Sequence, residues 1–261
     1  MLDAVFQILQ FRISTPQPYG LFHIVGLVLI ILMAYFMCLK QRNINEHIER
    51  RWLCLFSIVL IVFECYKQLI FSYNLGGEWH YRWYAFPFQF CSIPLYALPL
   101  VTFLKEGRLR QALFNFTASY TMLAGLMVLL YPKHVFVEMA GINFHTISHH
   151  GIMFIMGAWL WASGRAKLNK RSIVDAFAVF CFFLVIAVAL NVTVVQFLTP
   201  GTTFNMFFIS PYFETTIPVL SFIQQEAPYF MFLIAYVLGF SALSLSFSYI
   251  SATLLKPRNT R

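Results

Sequence analysis

LFHIVGLVLIILMAYFMCL, residues 21–39, runs for nineteen positions without a charged side chain. At a helical rise of about 1.5 Å per residue that run matches the ~30 Å hydrocarbon core of a bilayer. Six further apolar runs follow it, at 52–71, 86–104, 113–130, 144–162, 173–198 and 228–255. The last two are longer than one perpendicular crossing needs and predict tilt or extension past the core. Composition agrees, since 60% of the chain is hydrophobic and 11% is charged, against roughly 25% charged in an average soluble domain. Helices are required because lipid offers unpaired backbone groups no partner, and the ten-residue alternation of a membrane barrel is absent. The sequence therefore predicts an all-α, polytopic membrane helix bundle of about seven transmembrane helices, organised as a single domain over 1–261.

The net charge of +8 has a topological reading. Lys and Arg gather on the cytoplasmic side of membrane proteins. Lys40, Arg42, Arg50, Arg51, Lys105, Arg108, Arg110, Arg165, Lys167, Lys170, Arg171, Lys256, Arg258 and Arg261 all fall on one side of the alternating runs. Only Arg12, Arg82 and Lys133 fall on the other, with Lys67 inside a run. This predicts an outside N-terminus and a cytoplasmic C-terminus, with a bacterial cell membrane as the expected location and the lumenal side of an internal membrane as the alternative for the outer face. The basic residues are dispersed between apolar runs, so no nucleic-acid partner is expected. The first twenty residues lack a cleavable signal pattern, and residues 5–13 read as a short interfacial amphipathic helix.

Polar residues inside the runs collect in one layer. With the orientation above, His23, Glu64, Lys67, Gln89, Cys91, His145, His149, His150, Asn191 and Gln196 all lie in the outer half. Polar groups within a membrane are costly, so a cluster of them points to function, although His23 and Gln196 read rather as helix-end residues or interhelical glue. Glu64 and Lys67 share a face as an internal ion pair. The outer connection at 199–227 is unusually apolar for a loop and predicts a segment packed back into the bundle, as a lid over an outward-facing pocket.

Cys91 stands out among five cysteines whose odd number and spacing give neither a disulfide framework nor a zinc pattern. It sits in FPFQFCSIPLYALP, where Pro87, Pro94 and Pro99 predict a kinked or broken helix. Such a break frees backbone N–H groups that can stabilise an oxyanion. HTISHHG brings imidazoles to the same depth, and an adjacent His can take the thiol's proton. His149 and His150 point about 100° apart, so one of them is expected to serve Cys91. His145 and His149 also suit a metal at i, i+4, but no third ligand is evident, and no metal or cofactor is expected.

The ordered set of Glu64 with Lys67, FPFQFCSIPLYALP, SHHGIMF, Asn191, GTTFNMFFISP and QQEAPYF resembles the YwaF-like integral membrane family and its animal relative, transmembrane protein 164. It covers residues 59–236. The resemblance implies a multi-pass protein and a cysteine-dependent acyltransferase acting in phospholipid metabolism. By position, the family's Cys after a Pro-x-x-x motif corresponds to Cys91. Its His before Gly corresponds to His150, with His149 as the alternative that the doubled histidine leaves open. The family's Gly-x-Asn-aromatic element is here GTTFNM, with one extra residue and Met206 in place of Tyr, which weakens a substrate role for Asn205. The expected chemistry is acyl transfer or hydrolysis on a membrane phospholipid or lysophospholipid, with Glu64, Lys67, Gln89, Asn191 and Asn205 binding substrate or supporting the site. Two rival readings are a non-catalytic lipid-binding scaffold and a transporter path lined by Glu64, Lys67, His149 and Asn191. The confinement of polar groups to one layer and the lack of an inverted repeat count against the transporter.

Overall fold

The computed structural model describes residues 2–40, 44–132 and 135–255. Of the cations used to read topology, Arg42, Lys133, Lys256, Arg258 and Arg261 lie outside the described residues. Among the described residues the fold is all-α apart from one small hairpin and an isolated bridge between Arg12 and Met139. Among the described residues five helices are long and apolar enough to cross a membrane: Leu21–Lys40, Glu46–Ser72, Arg108–Leu130, Lys170–Phe197 and Tyr229–Leu255.

A short helix α1 (Leu2–Leu9) lies ahead of the first long one, earlier in the chain than the expected 5–13. The next helix, α2 (Leu21–Lys40), leaves Val28, Leu29, Ile31 and Leu32 exposed, an apolar face that suits lipid rather than water. His23, fully buried near its start, ties α2 to the bundle through hydrogen bonds to backbone and an edge contact with the Phe136 ring. Its Nδ1 accepts from Tyr19 N at 2.9 Å, and its Nε2 lies 2.9 Å from Leu129 O. Helix α3 (Glu46–Ser72) starts at an Asn45 cap whose side chain accepts from Ile48 N, satisfying one of the orphan amides of a helix start. It runs into an antiparallel hairpin of β1 (Tyr73–Asn74) and β2 (Glu78–Trp79), in register Tyr73 with Trp79 and Asn74 with Glu78. Gly76 and Gly77 turn it with φ of 114° and 90°, a conformation that side-chain-bearing residues avoid.

The run at 86–104 departs from a full-length helix. Helical structure spans Phe90–Phe103, as a 3₁₀ turn at Phe90–Ser92 followed by α4 (Pro94–Phe103). Pro87 contributes no N–H, while Pro94 sits at the first turn, where proline is tolerated because that amide has no helical partner. The stretch ahead of Cys91 is therefore extended, with Gln89 at φ −71° and ψ 159°.

Helices α5 (Arg108–Phe116) and α6 (Met122–Leu130) are joined without a break by a π turn at Thr117–Thr121. Helix α7 (Ala140–Ala162) is continuous but is outside the apolar class, because Asn143, His145, His149 and His150 lower its hydropathy. It is nevertheless the most enclosed helix, packed chiefly on α6 and α2. Close approach to α6 depends on glycine: a Cβ on Gly157 would lie 2.3 Å from Met122 Cβ, and one on Gly125 would lie 2.7 Å from His150 O. Helices α8 (Lys170–Val194), α9 (Leu220–Glu226) and α10 (Tyr229–Leu255) complete the bundle.

Three apolar cores result among the described residues, the smallest of them Phe6, Ile70, Tyr73 and Ile142 beneath α1 and the hairpin. Of the two larger ones, one joins α2, α3, α4, α6 and α7 around Trp159, and the other is an aromatic core of Phe88, Phe90, Phe116, Phe180, Phe204 and Phe207. At the end opposite the hairpin, several cations assigned only to topology turn out to be structural. The Glu49 carboxylate receives Arg110 Nη2 at 2.8 Å and also Arg165 Nε. Arg110, fully buried, further contacts Glu106 and donates to Val101 O at 2.9 Å. Arg108 pairs with Asp175 at 2.8 Å.

Candidate active site

The break before α4 and the N-terminal half of α7 meet at the hairpin end of the bundle. His149 Nε2 lies 2.8 Å from the backbone carbonyl of Cys91. A carbonyl only accepts, so this nitrogen carries the proton and α7 docks directly onto the residue bearing the thiol. The next residue faces elsewhere: His150 Nδ1 lies 2.7 Å from Thr146 O. By the same logic Nδ1 is protonated, and Nε2 is the nitrogen of His150 left with a lone pair.

Cys91 and His150 both line a cavity of about 650 Å³, along with His145, Thr146 and Lys67. His149 is not in its wall. The roof comes from parts of the chain far apart in sequence. Gln10 Nε2 donates to Ile70 O at 3.0 Å and Tyr73 O at 2.7 Å, Ile13 N donates to Glu138 O at 2.8 Å, and Ala140 N donates to Phe11 O at 3.0 Å. Helix α1 is fastened to the hairpin through Asp3, which accepts from Tyr73 Oη and from Gly76 N. Those two donors, Tyr73 foremost, hold the Asp3 carboxyl below the ordinary carboxylate range.

Lys67 Nζ is 2.9 Å from Glu64 Oε1, and Gln68 Nε2 donates to the same oxygen at 2.6 Å. Glu64 Oε2 is buried without a partner. Among the described residues Glu64 makes no hydrogen bond or ion pair with a histidine; its partners are Lys67 and Gln68. His145 lines the cavity with a buried, unpartnered Nε2, against Phe63 and 5.3 Å from the His149 ring. Among the described residues no three His, Cys, Asp or Glu side chains come together as a metal site.

Gln89, Asn191 and Asn205 gather elsewhere. Asn191, fully buried, accepts from Met206 N at 2.7 Å and donates to Met206 O at 2.9 Å. Gln89 donates to Asn205 O at 2.9 Å and accepts from Phe207 N at 3.1 Å. Asn205 accepts from Ser210 N at 2.8 Å and donates to Glu214 O at 3.2 Å. None of the three lines the cavity. Their amides hold the backbone of the 199–227 segment, whose Phe204, Met206, Phe207 and Ile209 are fully buried. That segment does pack back into the bundle, but as a plug in the aromatic core behind Cys91. The lid position is taken by the N-terminal stretch, the hairpin and residues 135–139, which hydropathy alone gives no reason to bring together. Replacing Asn191 by Leu strands the Met206 amide and carbonyl, each worth about 1–3 kcal/mol when buried unpaired. The expected result is a lower Tm and faster proteolytic cleavage within 199–219, measured in detergent against wild type.

A helical membrane protein with a polar cavity at one end of the bundle, walled by a thiol and imidazoles, is the class these features define. The chain belongs to the TMEM164 family, whose sequence profile matches residues 14–248. No curated protein and no solved structure matches it.

Proposed function

We propose that the protein is an intramembrane acyltransferase acting on phospholipid, with Cys91 as nucleophile and His150 as general base. The observation that carries this reading is the shared cavity of Cys91 and His150, with His150 Nδ1 anchored on Thr146 O so that Nε2 is the basic nitrogen. Nε2 takes the thiol proton as Sγ attacks the ester carbonyl carbon. The tetrahedral intermediate collapses with cleavage of the carbonyl carbon–oxygen bond, and His150 returns the proton to the departing lysolipid oxygen. A lysolipid hydroxyl or water then gives its proton to His150 and attacks the thioester, regenerating the thiol. Backbone amides at the helix break are the candidate oxyanion donors. His149 acts as a positioning residue through the Cys91 carbonyl.

The finer topology belongs to the same proposal: one membrane domain of seven passes, the short α4 segment and the polar α7 being the third and fifth, in a bacterial cell membrane. The N-terminus is outside and the C-terminus cytoplasmic, which sets the cavity at the outer interface where an ester lies.

The test is intact-mass spectrometry of purified protein after incubation with phospholipid, with and without hydroxylamine. A hydroxylamine-labile acyl adduct on wild type and none on Cys91→Ser is the expected result. An adduct that persists on Cys91→Ser removes the thiol from the mechanism. No adduct and no change in lipid composition with either protein favours the lipid-binding scaffold.

A further inference from the structure

Every described Lys or Arg at the hairpin end of the bundle lines the Cys91 cavity: Arg12, Lys67 and Arg82. They come from three separate elements, the stretch after α1, helix α3 and the linker after the hairpin. No Asp or Glu side chain lines the same wall among the described residues. Two of the cations have carboxylate partners outside the wall. Arg12 Nη1 is 3.4 Å from Glu138 Oε2, an exposed pair, and Lys67 is held by Glu64. Arg82 has no carboxylate partner among the described residues. The general bias of Lys and Arg toward the opposite side of a membrane gives no reason for three cations to converge here. A cavity with a cationic, carboxylate-free wall is built for an anion.

We propose that Arg12, Lys67 and Arg82 form a subsite for a phosphate group. On the acyl-transfer reading, on which this rests, that group is the phosphodiester of the phospholipid headgroup, held so that the ester reaches Cys91. Guanidinium groups suit the role because their fork matches two phosphate oxygens, while Lys67 supplies a point charge deeper in the wall. The subsite would distinguish a phospholipid from a neutral diacylglycerol carrying the same esters.

The experiment uses full-length Cys91→Ala protein, so that binding is read without turnover, in a detergent free of phosphate. Native mass spectrometry titrates dioctanoyl-phosphatidylcholine, dioctanoylglycerol and orthophosphate. The expected result is that the phospholipid binds about tenfold or more tighter than dioctanoylglycerol. Arg82→Gln, at an exposed position, should erase that preference without weakening dioctanoylglycerol, and Arg82→Lys should restore part of it. Orthophosphate bound as tightly as the phospholipid, and lost in Arg82→Gln, keeps the subsite and assigns it to free phosphate. Equal binding of the two lipids, or an unchanged preference in Arg82→Gln, overturns the proposal. Equal binding alongside an acyl adduct on wild type removes the subsite and leaves acyl transfer standing. A phosphate preference without any adduct does the reverse.

Discussion

His150→Ala protein is expected to transfer acyl chains about 10²–10⁴-fold more slowly than wild type, the usual worth of a positioned general base. His149→Ala should lose a smaller factor, up to about 10²-fold, by a different route, and the two are separable. With His150 gone the thiol has no base, so the limb of the pH–rate profile that reports the base disappears. With His149 gone the carbonyl of Cys91 loses its 2.8 Å donor from α7, and a misplaced nucleophile costs up to about 10²-fold. The pH profile of His149→Ala then keeps its shape while kcat falls, and His149→Gln, which can still donate, recovers part of the loss. Steady-state rates of lysolipid release across pH for the three variants check this. Equal pH profiles in His150→Ala and wild type would exclude His150 as the base.

The largest effect on stability is expected at the other end of the bundle. Glu49 is 2% exposed and receives both Arg110 and Arg165. Glu49→Ala removes the carboxylate while Arg110 stays fully buried, and breaking such a pair from one side costs about 3–5 kcal/mol. The expected outcome is a strongly lowered Tm by intrinsic tryptophan fluorescence in detergent. Glu49→Leu combined with Arg110→Met should be markedly more stable than Glu49→Ala, because two apolar side chains leave no orphan charge. A double variant as unstable as the single would mean that the cluster acts through geometry rather than charge balance.

The long helices α2, α3, α8 and α10 were legible because run length alone specifies them. The run at 86–104 was only half legible: its prolines announce a break but not that the helix shortens to Phe90–Phe103. For the site, the sequence brought Cys91 and the histidines to one depth, yet the choice between His149 and His150 depends on the rotation of α7. That rotation depends on the close contact of Gly125 in α6 with the His150 carbonyl and of Gly157 in α7 with Met122, a packing detail that run length and hydropathy do not reveal. Gln89, Asn191 and Asn205 read together with Glu64 and Lys67 as supporting residues, but the three amides gather apart from that pair, on backbone at 205–214. Arg12 and Arg82 carried no signal beyond topology, because only the pairing of the N-terminal stretch with residue 139 brings the cavity roof together.

Helix α7 has a further consequence, for biogenesis. A segment bearing Asn143, His145, His149 and His150 gains little from partitioning into hydrocarbon on its own, yet most of its surface ends up enclosed by protein. On the proposed topology, in which α7 is the fifth pass, its stable residence in the bilayer therefore depends on its neighbours. The two helices that grip it most closely, α2 and α6, both precede it in the chain, so both sides of its berth are synthesised before α7 itself.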